Sequence, residues 1–138
     1  MTHHALRLRL DGDALAGNWH WLQRRGQAPA GAAVKADGYG VGARAVVDRL
    51  AAAGCRDFFV STWAEAEALG SLPEGASLSV LHGVGPEDVA AAVSGLGRPV
   101  LNTPQQVERW KAVAPGRPCD VMVDTGMNRL GLRVDEIG

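Results

Sequence analysis

Apolar residues recur along the chain with two different periods, and the switches between them divide it into short units. "LRLRL" (6–10) alternates Leu6, Leu8 and Leu10 with Arg7 and Arg9, the two-residue period of a strand with one buried and one wet face. After Asp11 and Asp13 the period lengthens. Leu15, Trp19 and Leu22 fall at i, i+4 and i+7, which predicts an amphipathic helix to about Arg24, ahead of the loop "GQAPAG".

From residue 32 one unit repeats: a short apolar run, a turn, then a helix with an apolar stripe. The runs are "AAVKA" (32–36), "FFVS" (58–61), "LSVLH" (78–82), "PVLN" (99–102) and "DVMVD" (120–124), with centres about 20 to 25 residues apart. That spacing suits a strand, a loop, a three-turn helix and a return loop. In the first intervening helix Ala43, Val46, Val47 and Leu50 form the stripe and Gly54 the C-cap. Thr62 with Glu65 and Thr103 with Gln106 have capping-box spacing, and Pro86 and Pro104 sit where a first helical turn accepts proline.

Five strands alternating with four helices predict an α/β fold with parallel pairing, because apolar strands need cover on both faces. Two architectures fit. A flavodoxin-like doubly wound sheet closes with five strands at this length, whereas a (β/α)₈ TIM barrel takes about 250 residues. The leading strand and helix are surplus to the first, and only fourteen residues follow "DVMVD", too few for a turn and a closing helix. The chain reads as one cut short.

Composition narrows the function class. With 46% apolar and 21% charged residues the chain is globular, and a net charge of −1 from 14 basic and 15 acidic residues gives no footprint for nucleic acid or an anionic membrane. Cys55 and Cys119 fit no zinc spacing and read as reduced thiols. "MTHHALRLRL" lacks the apolar core of a signal peptide, so a cytoplasmic location is expected; His3 and His4 imply no metal site.

Ligands of parallel α/β folds bind beyond the C-terminal strand ends, which here are Lys35, Ser61, His82, Asn102 and Asp124, all polar. His82 and Asn102, like Asn18, read as structural. Lys35 is one of two lysines in the chain. An ammonium beside an apolar strand is costly to desolvate, which favours a neutral amine able to attack carbonyls; a strand-end lysine can also simply snorkel to solvent. Gly38, Gly40 and Gly42 follow, allowing close backbone approach, and the helix beginning there offers N–H groups to an anion. Neither GxGxxG nor GxxxxGK[ST] occurs. Tyr39, the only tyrosine, can plug the core or donate a hydrogen bond to a ligand oxygen. In "VDTGMNRLGL" (123–132), Arg129 presents a fork suited to a carboxylate, or pairs locally with Asp124.

Taken together, "AAVKADGYGVGA" and "VMVDTGMNRLGL" resemble the lysine motif and the DTGMxRxG motif of the alanine racemase family, with similar spacing between them. "LRLRLDGDALAGNWHWL" resembles that family's N-terminal strand and helix. The resemblance implies an incomplete TIM barrel of about five of eight βα units over 12–138, with 1–11 as a strand belonging to a C-terminal β-domain that lies beyond this chain. It implies pyridoxal 5′-phosphate as cofactor, held by Lys35 as a Schiff base, with Lys35 then acting as one of two bases. By the same resemblance Tyr39 would bond the cofactor phosphate and Arg129 would bind the substrate carboxylate or hold the site's geometry.

The implied activity is interconversion of L- and D-alanine, supplying D-alanine for peptidoglycan, in a homodimer. Asp37-Gly38 stands where Asn-Ala is usual and Val41 where histidine is frequent. The opposite base, most of the phosphate cup and the β-domain lie, in the family, beyond the point where this chain stops, so it is expected not to racemise efficiently alone. A non-catalytic pyridoxal-phosphate carrier of the homeostasis type is the alternative.

Overall fold

The computed structural model describes residues 6–137. Asp11 caps helix α1 (Gly12–Gln23) by accepting a hydrogen bond from Ala14 N at 3.0 Å. The expected strand at 6–10 does not form. Leu6 and Leu8 are 89% and 69% exposed, and only Leu10 touches the core. Alternation supplies the pattern of a strand, but a strand exists only as part of a ladder, and among the described residues none pairs with this segment.

The repeating unit is realised as β1 (Ala32–Ala33), the single turn α2 (Lys35–Tyr39), α3 (Ala43–Ala53), β2 (Asp57–Val60), α4 (Trp63–Leu69), β3 (Ser77–Val80), α5 (Val89–Val93), β4 (Arg98–Leu101), α6 (Pro104–Val113) and β5 (Asp120–Val121). A 3₁₀ turn, Val134–Glu136, follows. All strand pairs are parallel and their spatial order is the sequence order, β1-β2-β3-β4-β5. A flavodoxin-like sheet would reverse direction next to its first strand. The unbroken order is that of a barrel wall, so the sheet is five strands of a (β/α) barrel.

The two faces of the sheet differ as a barrel requires. Phe58, Val60, Leu78, Val80 and Leu101 join Val46, Val47 and Leu50 of α3 and Trp63, Ala66 and Leu69 of α4 in one buried cluster. The opposite face carries polar residues: the Ser77 hydroxyl donates to Asp57 at 2.8 Å and the Ser79 hydroxyl to Asp120 at 2.7 Å. Trp63 pins α4 to the loop after β3 by donating from Nε1 to Gly83 O at 2.8 Å.

Local signals are met unevenly. Thr62 and Glu65 form the reciprocal capping box, and Pro104 opens α6. Pro86 does not start a helix, because α5 begins at Val89 after a turn in which the Asp88 carboxylate accepts from Gly85 N. Gln106 leaves its capping box half closed. Its N–H donates to Thr103 Oγ1, but its side chain reaches past Thr103 to accept from Asn102 N and donate to His82 O. Both cysteines are free; burial pushes the Cys55 and Cys119 thiols up from their ordinary value. No helix among the described residues is long and apolar enough to cross a membrane.

Candidate active site

The lysine predicted to close the first strand stands instead at the start of a turn of the opposite hand. Val34 makes the last ladder bond of that strand, N to Phe59 O at 2.8 Å. Then Ala36 (φ 51°), Asp37 (φ 50°), Gly38 (φ 63°), Tyr39 (φ 57°) and Gly40 (φ 85°) are all left-handed. Gly38 N donates to Val34 O and Gly40 N to Ala36 O, each at 2.9 Å, closing one turn of left-handed helix.

For L-residues this hand costs about 1–2 kcal/mol each, so Ala36, Asp37 and Tyr39 together cost about 3–6 kcal/mol. Three sets of bonds offset it. Asp37 Oδ1 accepts from Ala43 N at 2.8 Å and Asp37 O from Gly42 N at 2.9 Å, tying the turn to the start of α3. Glu65 Oε1 accepts from Ala36 N at 2.9 Å. Glycine at the fourth residue of the turn also keeps the approach to α3 open, since a Cβ on Gly38 would lie 3.1 Å from Ala43 N, a tight contact. The first N–H of α3, expected to face an anion, is thus already taken by Asp37.

Glu65 serves two elements at once. Its Oε2 accepts from Ser61 N at 2.6 Å and Thr62 N at 3.3 Å, while Oε1 holds Ala36 N. Burial alone would raise its pKa, but the backbone donors Ala36, Ser61 and Thr62, together with the charge of His82, outweigh it and hold the carboxyl below its ordinary 4.5. A carboxyl whose folded pKa lies below its unfolded one adds stability that is complete above the unfolded value and drains away as pH falls through the folded one. The melting temperature of the wild type should therefore fall more steeply than that of Glu65→Gln between about pH 5 and about pH 3. Parallel slopes in thermal scans would show that the three bonds contribute nothing pH-dependent.

Lys35 faces a cavity of about 400 Å³ at the C-terminal strand ends, lined by Lys35, Ser61, Leu81, His82, Met122, Arg129 and Leu130. Of the five strand-end residues, three line it and two brace it. Asn102 is buried, and its Nδ2 donates to Leu81 O at 2.8 Å and Val100 O at 2.9 Å, joining β3 to β4. Asp124 Oδ1 accepts from Gly126 N at 2.9 Å and Asn128 N at 3.1 Å, bonds that lower its pKa. It shapes the loop and does not pair with Arg129, which takes part in no ion pair among the described residues.

That loop is clamped where it returns. Asp124 N donates to Leu132 O and Leu132 N to Met122 O, both at 2.8 Å, and Leu132 is buried. Gly131 (φ 112°) permits the clamp, since a Cβ there would lie 2.7 Å from Asp124 N. Gly131→Ala should cost about 1–3 kcal/mol in denaturant titration and free the Arg129 loop. A wild-type midpoint would mean that the loop does not need its clamp.

Tyr39 is 65% exposed and lies outside the cavity, so the structure brings Lys35 and Arg129 together without it. Leu81, Met122 and Leu130 line the cavity without being among the residues the sequence marks as candidates. Met122 had a signal, being two residues from both Asp120 and Asp124 on a period-two strand; Leu130 had none. Glu65 was legible only as a helix cap.

The donor set fits a pyridoxal group. An amine able to condense with an aldehyde, apolar flanks in Leu81, Leu130 and Met122, and polar Ser61, His82 and Arg129 line a cavity of ligand size. Comparison with known proteins agrees. The chain is 48% identical over 136 residues to alanine racemase of Rhodospirillum rubrum and 42% identical over 132 residues to that of Acidiphilium cryptum. These alignments cover 91% and 94% of this chain but only 35% and 37% of those proteins. Among solved structures, alanine racemase from Bartonella henselae with covalently bound pyridoxal phosphate superposes with a TM-score of 0.76 at 32% identity, over 91% of this chain and 37% of that one. Residues 10–138 match the alanine racemase N-terminal domain, and the chain belongs to that family.

Proposed function

We propose that this chain forms the lysine-bearing part of the cofactor site of a pyridoxal-phosphate-dependent alanine racemase. The observation that carries the reading is the placement of Lys35 and Arg129 on one cavity at the C-terminal end of a parallel barrel wall. Lys35 Nζ would hold the cofactor at its aldehyde carbon and would carry the substrate's α-proton on its own face. Arg129, free of ion pairs among the described residues, holds the substrate carboxylate. Tyr39, exposed one left-handed turn beyond Lys35 and outside the cavity lining, would offer its hydroxyl to the cofactor phosphate. The cofactor supplies an electron sink that acidifies the α-carbon.

Inversion at that carbon needs a proton donor on the other face, which this chain's single tyrosine, already engaged, does not provide. By the family resemblance we assign 12–138 to the cofactor-binding barrel and 1–11 to a segment that becomes a strand only against a further β-domain. D-alanine for peptidoglycan is the product, the cytoplasm the location, and a homodimer the assembly.

The test uses the chain's two lysines. Borohydride reduction in the presence of pyridoxal phosphate, followed by peptide mass spectrometry, should label Lys35 and spare Lys111, which is exposed on α6 and paired with Glu108. Equal labelling of both, or none at Lys35, would overturn the assignment. Exchange of the α-hydrogen of alanine into D₂O by the holoenzyme separates a racemase from a carrier.

A further inference from the structure

We propose that Glu65 is a positioning residue for Lys35, coupling the left-handed turn to the cap of helix α4 through one carboxylate; this rests on the cofactor reading above. Lys35 directly precedes Ala36, the residue whose N–H Glu65 holds at 2.9 Å across 29 positions of sequence. The other carboxylate oxygen takes Ser61 N at 2.6 Å, and Ser61 itself lines the cavity with Lys35. One side chain therefore fixes two neighbouring points of the cavity wall relative to each other. Without it, Ala36 N would lose its acceptor just where the backbone enters three strained non-glycine residues. The half-buried carboxylate can satisfy all three donors only because both its oxygens are ionised acceptors.

Helix capping alone does not explain the bond to Ala36. A capping box needs Thr62 and Glu65 to serve each other's N–H, and the Ala36 bond lies outside that exchange. The two roles can be separated by substitution. Thr62→Val removes the Thr62 Oγ1 acceptor for Glu65 N and leaves the Ala36 bond; Glu65→Ala removes the carboxylate's bonds to Ala36, Ser61 and Thr62 N and leaves Thr62 Oγ1 accepting from the backbone N of residue 65; Glu65→Gln keeps one acceptor oxygen.

Two measurements on the chain test the proposal. The first, amide hydrogen exchange without cofactor, should show protection over residues 36–40 lost in Glu65→Ala, partly restored in Glu65→Gln and kept in Thr62→Val. The second is titration with pyridoxal phosphate, followed by absorbance and borohydride trapping. It should give a Kd weakened about tenfold or more in Glu65→Ala, with Thr62→Val within about twofold of wild type. Equal weakening in Glu65→Ala and Thr62→Val, in step with their melting temperatures, would reduce Glu65 to a helix cap and overturn the proposal, as would unchanged protection at 36–40. If the wild-type chain takes no label at Lys35, the cofactor reading fails, and the exchange measurement still decides whether Glu65 holds the turn.

Discussion

Replacing Lys35 with alanine is expected to leave a folded chain that no longer joins covalently to pyridoxal phosphate, and to cost the holoenzyme about 10⁴-fold in racemisation. The fold should be indifferent, because the strained residues of the turn begin one position later and are held by Asp37 and Glu65. Surface-type substitutions away from such contacts stay within about 0.5 kcal/mol. The chemistry has no substitute: the only other lysine, Lys111, sits on α6 with Glu108. Lys35→Arg should do no better, since a guanidinium keeps its proton and cannot condense with an aldehyde. Circular dichroism, borohydride trapping and racemisation rate read the three parts separately. Retained activity in Lys35→Ala would remove this residue from the reaction.

The second large effect is on stability. Phe58, in the middle strand of the first three, is fully buried and pairs with Ala32 on one side and Leu78 on the other. Phe58→Ala should cost about 3–5 kcal/mol, the lost transfer energy plus the cavity left behind. Set against a usual total of about 5–15 kcal/mol, this threatens the fold itself. Phe59, its neighbour, points to the opposite face and is only half-buried, so Phe59→Ala should cost clearly less. Urea titration would show a lower midpoint at unchanged slope for Phe58→Ala. Equal losses at the two positions would mean that the helix-facing cluster is not the core.

The barrel wall was legible because its signals are local and repeated. Each apolar run fell on or beside a strand, and the 3.6-residue stripe of Val46, Val47 and Leu50 marked the buried side of α3. The site was legible in part. Lys35 and Ser61 stood out as polar strand ends that line the cavity; Asn102, read as structural, braces the backbone, whereas His82, read the same way, lines the cavity, and Asp124 shapes its own loop.

The left-handed turn was hidden for a physical reason. Gly38 and Gly40 hinted at positive φ, but Ala36, Asp37 and Tyr39 disfavour it, and what compensates them comes partly from Glu65, distant in sequence. Conversely "LRLRL" gave a clear two-residue period and formed no strand, because periodicity reports which face could be buried and not whether a partner is present.

The strand order has a consequence for how such a wall is made. Each strand lies beside the one translated just before it, so every pairing closes only one unit of about 20 to 25 residues. At about 5–20 residues per second a ribosome delivers such a unit roughly every one to five seconds, ample time for it to dock on the edge already waiting. A doubly wound sheet must hold an early edge open for a late arrival; this one can be laid down like courses of brick.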